Sequence, residues 1–271
     1  VGPIIPIYDG TNFRPFAFAE VSQATTDTTK SPAAVANNSN YDIFCWVDSG
    51  TNRCTRGPAW SSDTSRGYTL TLTNGIYLNT SAVTNGPAAL RGTYVGTIRS
   101  NGTATIDYIF PGLAACGKEG KFGVWNLYNR VAVNAYVGSN SPANYNYSTA
   151  TTWRQMGGCT TNKVNAVRGL DIDTIDVLNL TRAATSNTAT NAAAGIGLDS
   201  VTTPVTGMLG DVWAGSTAFA ISQRASYSGL MGLGWHYVAP IEFNSDTNAT
   251  TWVNTSAATS LQTGMRVQLW Q

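Results

Sequence analysis

The sequence predicts an all-β protein, an antiparallel sandwich or jelly roll with at most one or two short helices. Three observations carry this. Short β-branched or alternating runs recur along the chain, among them Tyr41–Trp46, Tyr68–Thr73, Thr93–Arg99, Val131–Val137, Trp235–Phe243 and Arg266–Trp270. Turn formers sit between them, including Asn74-Gly75, Asn85-Gly86 and Asn101-Gly102. Helical periodicity is almost absent. Strands at this spacing with Asn-Gly punctuation are the signature of antiparallel sheets.

Further strands are expected at Thr105–Phe110, Phe122–Trp125, Val164–Val167, Ile172–Leu180 and Ala218–Ser222. Arg99-Ser-Asn-Gly-Thr103 reads as the cleanest hairpin, because Asn-Gly readily takes the positive φ angles of a type I′ turn. Ser31-Pro-Ala-Ala-Val-Ala36 is the one helical candidate, with Ser at the N-cap and Pro at the first helical position. Thr181–Ala194 is rich in Ala and Thr without an amphipathic face, and reads as a surface loop. The coarse division is a turn-rich lobe or attachment segment at residues 1–66 and a β-sandwich body at 67–271, with Pro111–Gly123 as a second boundary.

Composition narrows the function. The chain has 271 residues, 42% hydrophobic and 10% aromatic, enough to bury a core and too apolar for disorder. Charged residues are only 11%, so the polar surface is built from Thr, Ser, Asn and Gly. Sixteen basic residues are scattered against 15 acidic ones, for a net charge of +1. A nucleic-acid binder needs a basic stripe to displace counterions, and none is present. No apolar run reaches the roughly 18 residues of a membrane span, and no signal-peptide pattern opens the chain.

Candidate chemistry is sparse. His236 is the single histidine, and no Gly-x-Ser-x-Gly elbow supplies it with a nucleophile. On an alternating strand it faces away from Trp235 and Tyr237, as a structural histidine does. Asp171, Asp173 and Asp176 form the densest acidic cluster. Its alternation breaks near Thr174, which favours a solvated turn over a metal or glycosidase site. The four cysteines fit no zinc spacing and read as free thiols of a reducing compartment. If any two are joined, Cys45 and Cys54 are the pair, since they face each other across a turn containing Gly50. Neither a cofactor nor a metal is expected. The tip Gly138–Ser148 combines Tyr, Ser, Asn and Gly as a paratope does. With it, Tyr145, Tyr147 and Trp153 are the candidates for stacking on a glycan.

Two stretches carry a resemblance: Ile7-Tyr-Asp-Gly-Thr-Asn-Phe-Arg-Pro-Phe16, and Tyr41-Asp-Ile-Phe-Cys-Trp46 leading to Arg56-Gly-Pro-Ala-Trp60. Arg91-Gly-Thr-Tyr-Val-Gly-Thr-Ile-Arg99 and Val124-Trp-Asn-Leu-Tyr-Asn-Arg130 follow in order. Over roughly residues 5–135 the series resembles virion surface proteins of tailed bacteriophages, of the tail-fibre-like, head-fibre or capsid-decorating kind. The resemblance implies a non-enzymatic structural protein on the particle surface, assembled in the bacterial cytoplasm and partnered by other virion proteins. It also implies a homo-oligomer, with a trimer favoured. The alternative is a module for host attachment that recognises a bacterial surface glycan. Arg14, Phe16, Trp46, Arg56 and Trp60 are the expected interface anchors, because Trp and Arg are enriched at interface hot spots.

Overall fold

A computed structural model describes residues 4–112, 116, 118–138, 144–215, 219–253 and 263–271. The described residues form strands and one short 3-10 turn, Met156–Gly158. Strands β1 (Ile4–Tyr8) and β2 (Phe13–Ala17) make an antiparallel hairpin of their own. Next come β3 (Asn40–Asp48), β4 (Thr51–Ala59), β5 (Leu70–Thr73), β6 (Ile76–Asn79) and β7 (Thr93–Arg99). They pair in the order β4-β3-β7-β6-β5. After β8 (Tyr108–Ile109) and β9 (Gly120–Phe122), β10 (Val124–Asn126) returns to β7 and completes this six-stranded sheet.

Together with β8 and β9, the rest of the chain builds two seven-stranded sheets. It runs through β11 (Ala132–Gly138), β12 (Tyr145–Tyr147), β13 (Thr152–Gln155), β14 (Val164–Arg168), β15 (Thr174–Thr185) and β16 (Asn191–Leu198). Then follow β17 (Leu209–Gly210), β18 (Val212–Ala214), β19 (Ile221–Leu230), β20 (Gly234–Asn244), β21 (Thr250–Trp252) and β22 (Gly264–Trp270). One sheet has the order β11-β22-β15-β19-β17, with β21 joining β12 to β15. The other has the order β18-β16-β20-β14-β9-β8, with β13 on β20. β14 and β9 are the parallel exception. Their inner faces share one core: Val133, Ile175, Val177, Met265 and Val267 from the first sheet meet Phe122, Val164, Ala166, Ile196 and Val238 from the second. Period-2 alternation places these residues inward and their neighbours outward. The expected sandwich is therefore present.

Two-residue turns appear where small residues take positive φ. Asn74-Gly75 (φ 48°, 84°) joins β5 to β6, and Ser49-Gly50 (φ 50°, 83°) joins β3 to β4. Asn101-Gly102 does not close a type I′ hairpin. The Asn101 side-chain oxygen instead accepts from the Thr103 (2.9 Å) and Thr105 (3.1 Å) amides, so the loop widens to a single bridge, Ser100 to Ile106. An Asn side chain that satisfies its own loop competes with the tighter turn.

Other expectations are corrected. Residues 31–36 form no helix, because the buried Ser31 hydroxyl bonds Gln23 and the Arg56 amide instead of capping one. Thr181–Ala194 is not a surface loop: it holds the end of β15 and the start of β16, with Ala183, Ala192, Ala193 and Ala194 buried. The small side chains of Ala183 and Ala192 pack with Trp252 and Tyr147. The division at residue 66 cuts a sheet, since β3 pairs with β7 across it. Phe122–Trp125 is two strands, not one: the chain changes sheets at Gly123, where a side chain would strike the Asp107 and Arg99 carbonyls.

The disulfide expectation is also corrected. Cys116 and Cys159 are joined, with Cα atoms 5.2 Å apart, although 43 residues separate them in sequence. Folding brings together two cysteines that spacing leaves isolated. Cys45 and Cys54 do lie opposite each other in the β3–β4 register, yet both are free thiols. Burial pushes Cys45 up to about 12 and Cys54 up to about 11, so both stay protonated and unreactive.

Candidate contact face

Several of the expected anchors are used inside the chain. Arg56 is buried, and its guanidinium donates to Gln23 Oε1 (3.1 Å) and to the carbonyls of Ala24 (2.7 Å), Asp27 (2.8 Å) and Ala33 (3.1 Å). It staples the irregular segment before β3 onto β4, satisfying carbonyls that no ladder satisfies. Trp60 is buried beneath Arg66, whose guanidinium carbon lies 4.6 Å from the ring centre. Trp46 is half-buried and donates its indole N–H to Thr55 Oγ1 at 2.6 Å. Phe16 is half-buried opposite Ile5. Arg14 is exposed and paired with Asp9, whose carboxyl is held well below its usual range by the Asn12 amide and by Arg14. Arg56 and Trp60 are thus internal clamps, not free anchors.

The glycan candidates Tyr145 and Tyr147 belong to a second internal cluster. Glu242 on β20 is fully buried, and three donors converge on its carboxylate. These are Tyr145 Oη (2.6 Å), Arg154 Nε (2.6 Å) and the Gly157 amide (3.2 Å). Arg154 also stacks 3.9 Å from the centre of the Tyr147 ring, and the Tyr147 hydroxyl donates to the Thr152 carbonyl at 2.7 Å. Burial pushes the Glu242 carboxyl up, against the pull of Arg154 and Tyr145. Trp153 packs on Phe243 with ring centres 5.1 Å apart. Tyr145 and Tyr147 are therefore committed to structure. Of the Gly138–Ser148 tip, residues 139–143 lie outside the described residues. The available clue was the lone Glu within the apolar Val238-Ala-Pro-Ile-Glu-Phe243, which demands a buried partner.

His236 and the aspartates do not converge on a reaction centre. His236 Nδ1 lies 2.6 Å from Asp199 Oδ2, and Nε2 lies 3.0 Å from the Leu233 carbonyl. Two acceptors facing both ring nitrogens suit an imidazolium. Burial lowers its pKa, but the Asp199 carboxylate outweighs burial and the net direction is up. A raised folded pKa contributes stability that is full below the unfolded value of about 6.5 and is lost as pH rises through the folded value. The single imidazole should therefore titrate above about 6.5 in an NMR pH series, and Asp199→Asn should move it down. A midpoint at or below 6.5 in the parent protein would contradict the pairing. Asp173 is paired with Arg130, Asp171 is exposed, and Asp176 points outward from β15. Beside them Arg168 is buried and donates to the Trp270 carbonyl. No group of three or more potential metal ligands occurs among the described residues.

Exposed side chains gather on the outer face of the β11-β22-β15-β19-β17 sheet. The registers align Tyr136, Arg266, Leu178, Ser226 and Leu209 in one row across five strands. Asn134, Gln268, Asp176 and Ser228 form the next row. On the other side Leu180 pairs Arg224, and Arg182 pairs Ser222. A depression of about 520 Å³ lies here, lined by Asp176, Leu178, Leu209, Arg224, Arg266 and Gln268 among others. Leu209 is 74% exposed and Tyr136 51%. Arg14, Arg53, Arg66, Arg99, Arg130 and Arg154 each pair with an acid. Among the described residues Arg56, Arg91, Arg168, Arg182, Arg224 and Arg266 form no ion pair; Arg56 and Arg168 are buried and donate to carbonyls, while Arg182, Arg224 and Arg266 stand on this face. The sequence underreported it because β19, Ile221-Ser-Gln-Arg-Ala-Ser-Tyr-Ser-Gly-Leu230, has small residues where strand patterns want β-branched ones.

No family model matches the chain, and no curated protein is similar to it in sequence.

Proposed function

We propose that this chain is a non-enzymatic structural protein of a tailed-phage virion, exposed on the particle as capsid decoration or fibre. It acts through assembly contacts with other virion proteins, as a homo-oligomer for which a trimer is favoured. The resemblance of residues 5–135 supports the location. The observation that carries the contact role is the outer sheet face, where three arginines without acidic partners stand among exposed Tyr136, Leu180 and Leu209. Arg and Tyr are enriched at interface cores, and a flat sheet face offers them without reorganisation. Disulfides persist in oxidising surroundings, so the Cys116–Cys159 bond suits an exposed particle after release better than the cytoplasm of assembly.

The test is position and copy number in intact particles, with an Arg224→Glu/Arg266→Glu variant alongside. We expect many copies per particle for the parent. The variant should melt like the parent and be incorporated at least tenfold less. Unchanged incorporation would reject the face, and absence of the parent protein from particles would reject the location.

A further inference from the structure

A second concavity lies at the seam between the six-stranded sheet and the β14–β9 edge of the sandwich. It has a volume of about 230 Å³, and Arg99, Asp107, Glu119, Lys121, Lys163 and Trp235 are among the residues that line it. We propose that this cleft binds a single neutral sugar unit.

Size sets the first limit. Sites for drug-sized ligands run about 300–1,000 Å³, so this cleft takes one small ring and not a folded chain segment. Charge sets the second. Arg99, Lys121 and Lys163 are balanced by Asp107, Glu119 and the Asp63 carboxylate that holds Arg99. With three charges of each sign the cleft exerts no net pull on an ion. A free anion would meet Glu119 and Asp107, and a free cation would meet the two lysines.

The polar groups are held before any ligand arrives. Lys121 Nζ lies 2.8 Å from Glu119 Oε1, and Lys163 Nζ lies 3.4 Å from Glu119 Oε2. Asn165 Nδ2 donates to the same Glu119 Oε2 (3.2 Å) and to the Gly120 carbonyl (2.9 Å). Asn101 Nδ2 donates to Asp107 Oδ1 at 2.7 Å, and Lys121 Nζ lies 3.9 Å from Asp107 Oδ2. An ammonium has three donors and a carboxylate about four acceptor positions, so each retains capacity after these bonds. Fixed donors next to fixed acceptors match a vicinal diol, in which every hydroxyl both gives and accepts. Holding them in place lowers the entropy lost on binding.

The apolar surface of the cleft is small. Trp235 lines it, with the Arg99 guanidinium carbon over its ring, 5.4 Å from the centre. The aliphatic stems of Lys121 and Lys163 line it as well, so the C–H groups of a sugar ring meet carbon while its hydroxyls meet the charges.

The proposal concerns the isolated protein and does not depend on its place in a particle. A panel of neutral monosaccharides, with a uronic acid and a sugar phosphate as charged controls, is titrated into ¹⁵N-labelled protein. At least one neutral sugar should shift the Asn101, Lys121, Gly123 and Asn165 amides and the Trp235 indole, with a Kd on the order of 1–10 mM. Lys163→Met keeps the aliphatic stem and should weaken that binding at least fivefold without changing the melting temperature. Asn165→Ala should weaken it likewise, at a lower melting temperature because the Gly120 carbonyl loses a buried donor, and it serves as a second variant if Lys163→Met fails to fold. Three results would overturn the proposal: no neutral sugar shifts these signals at tenfold above that Kd range, only charged controls bind, or both folded variants bind as the parent does.

Discussion

Valine at Gly169 should lower the stability of the fold by about 3–5 kcal/mol, and the melting temperature by about 6–10 °C. The cause is a closed ring of contacts where the six-stranded sheet meets the sandwich. A side chain at Gly169 would run into Tyr94 Oη, Thr97 Oγ1 and Trp125 Cε3, all from the six-stranded sheet. None of these can retreat. Tyr94 is fully buried, and its hydroxyl lies 2.7 Å from Thr97 Oγ1, which donates to Asp42 Oδ1 at 2.7 Å. Asp42 is held by Arg66 Nε at 2.7 Å, and Arg66 returns to the Gly169 carbonyl. Overpacking at this point breaks a buried network as well as straining the core, and losses of both kinds lie in the upper range for single substitutions. Chemical denaturation of the parent and the Gly169→Val variant measures the difference. A change below about 1 kcal/mol would show that the two sheets do not meet as described.

Glu242→Ala should cost about 3 kcal/mol. Removing the carboxylate takes away the acceptor of the Tyr145 hydroxyl and leaves Arg154 without its ion-pair partner. Breaking a buried ion pair typically costs about 3–5 kcal/mol. The low end applies because the Arg154 side chain is 32% exposed and regains water. Replacing both partners with methionine should cost less than Glu242→Ala alone, because no charge is then left buried. Equilibrium unfolding of the single and double variants forms the cycle. A double variant no better than the single one would mean that the aromatic packing, not the charge, holds this region.

The fold was legible wherever local chemistry and tertiary context agree. Thr93–Arg99, a β-branched run between glycines and polar residues, is β7 to the residue. Asn74-Gly75 makes its turn because two adjacent positive φ angles suit few other pairs. The facing of Cys45 and Cys54 follows from a two-residue turn and a period of two. Where burial of small residues decides the structure, the sequence is mute. Ala192-Ala-Ala194 and the serines of β19 carry no strand preference, yet close packing of two sheets needs little else. The contact face depends on register between strands 130 or more residues apart in sequence, such as Tyr136 with Arg266, and no local pattern encodes it. For the same reason the stretch around Arg56 and Trp60 read as outward. Arginine and tryptophan suit an interface and a buried clamp equally, and only the carbonyls gathered around Arg56 decide between them.

The insertion of β22 between β11 and β15 has a bearing on biogenesis. Both neighbours precede it, so the edge of β11 and the Asp176–Leu180 edge of β15 wait unpaired until Gly264–Trp270 is delivered between them. During that interval the nascent sheet is open to pairing with another chain, the usual route to aggregation of β proteins. Yield in the cell should therefore be limited by how quickly β22 docks. Overexpression at lower temperature, or a chaperone that shields the β11 and β15 edges, acts on that interval and not on the finished fold.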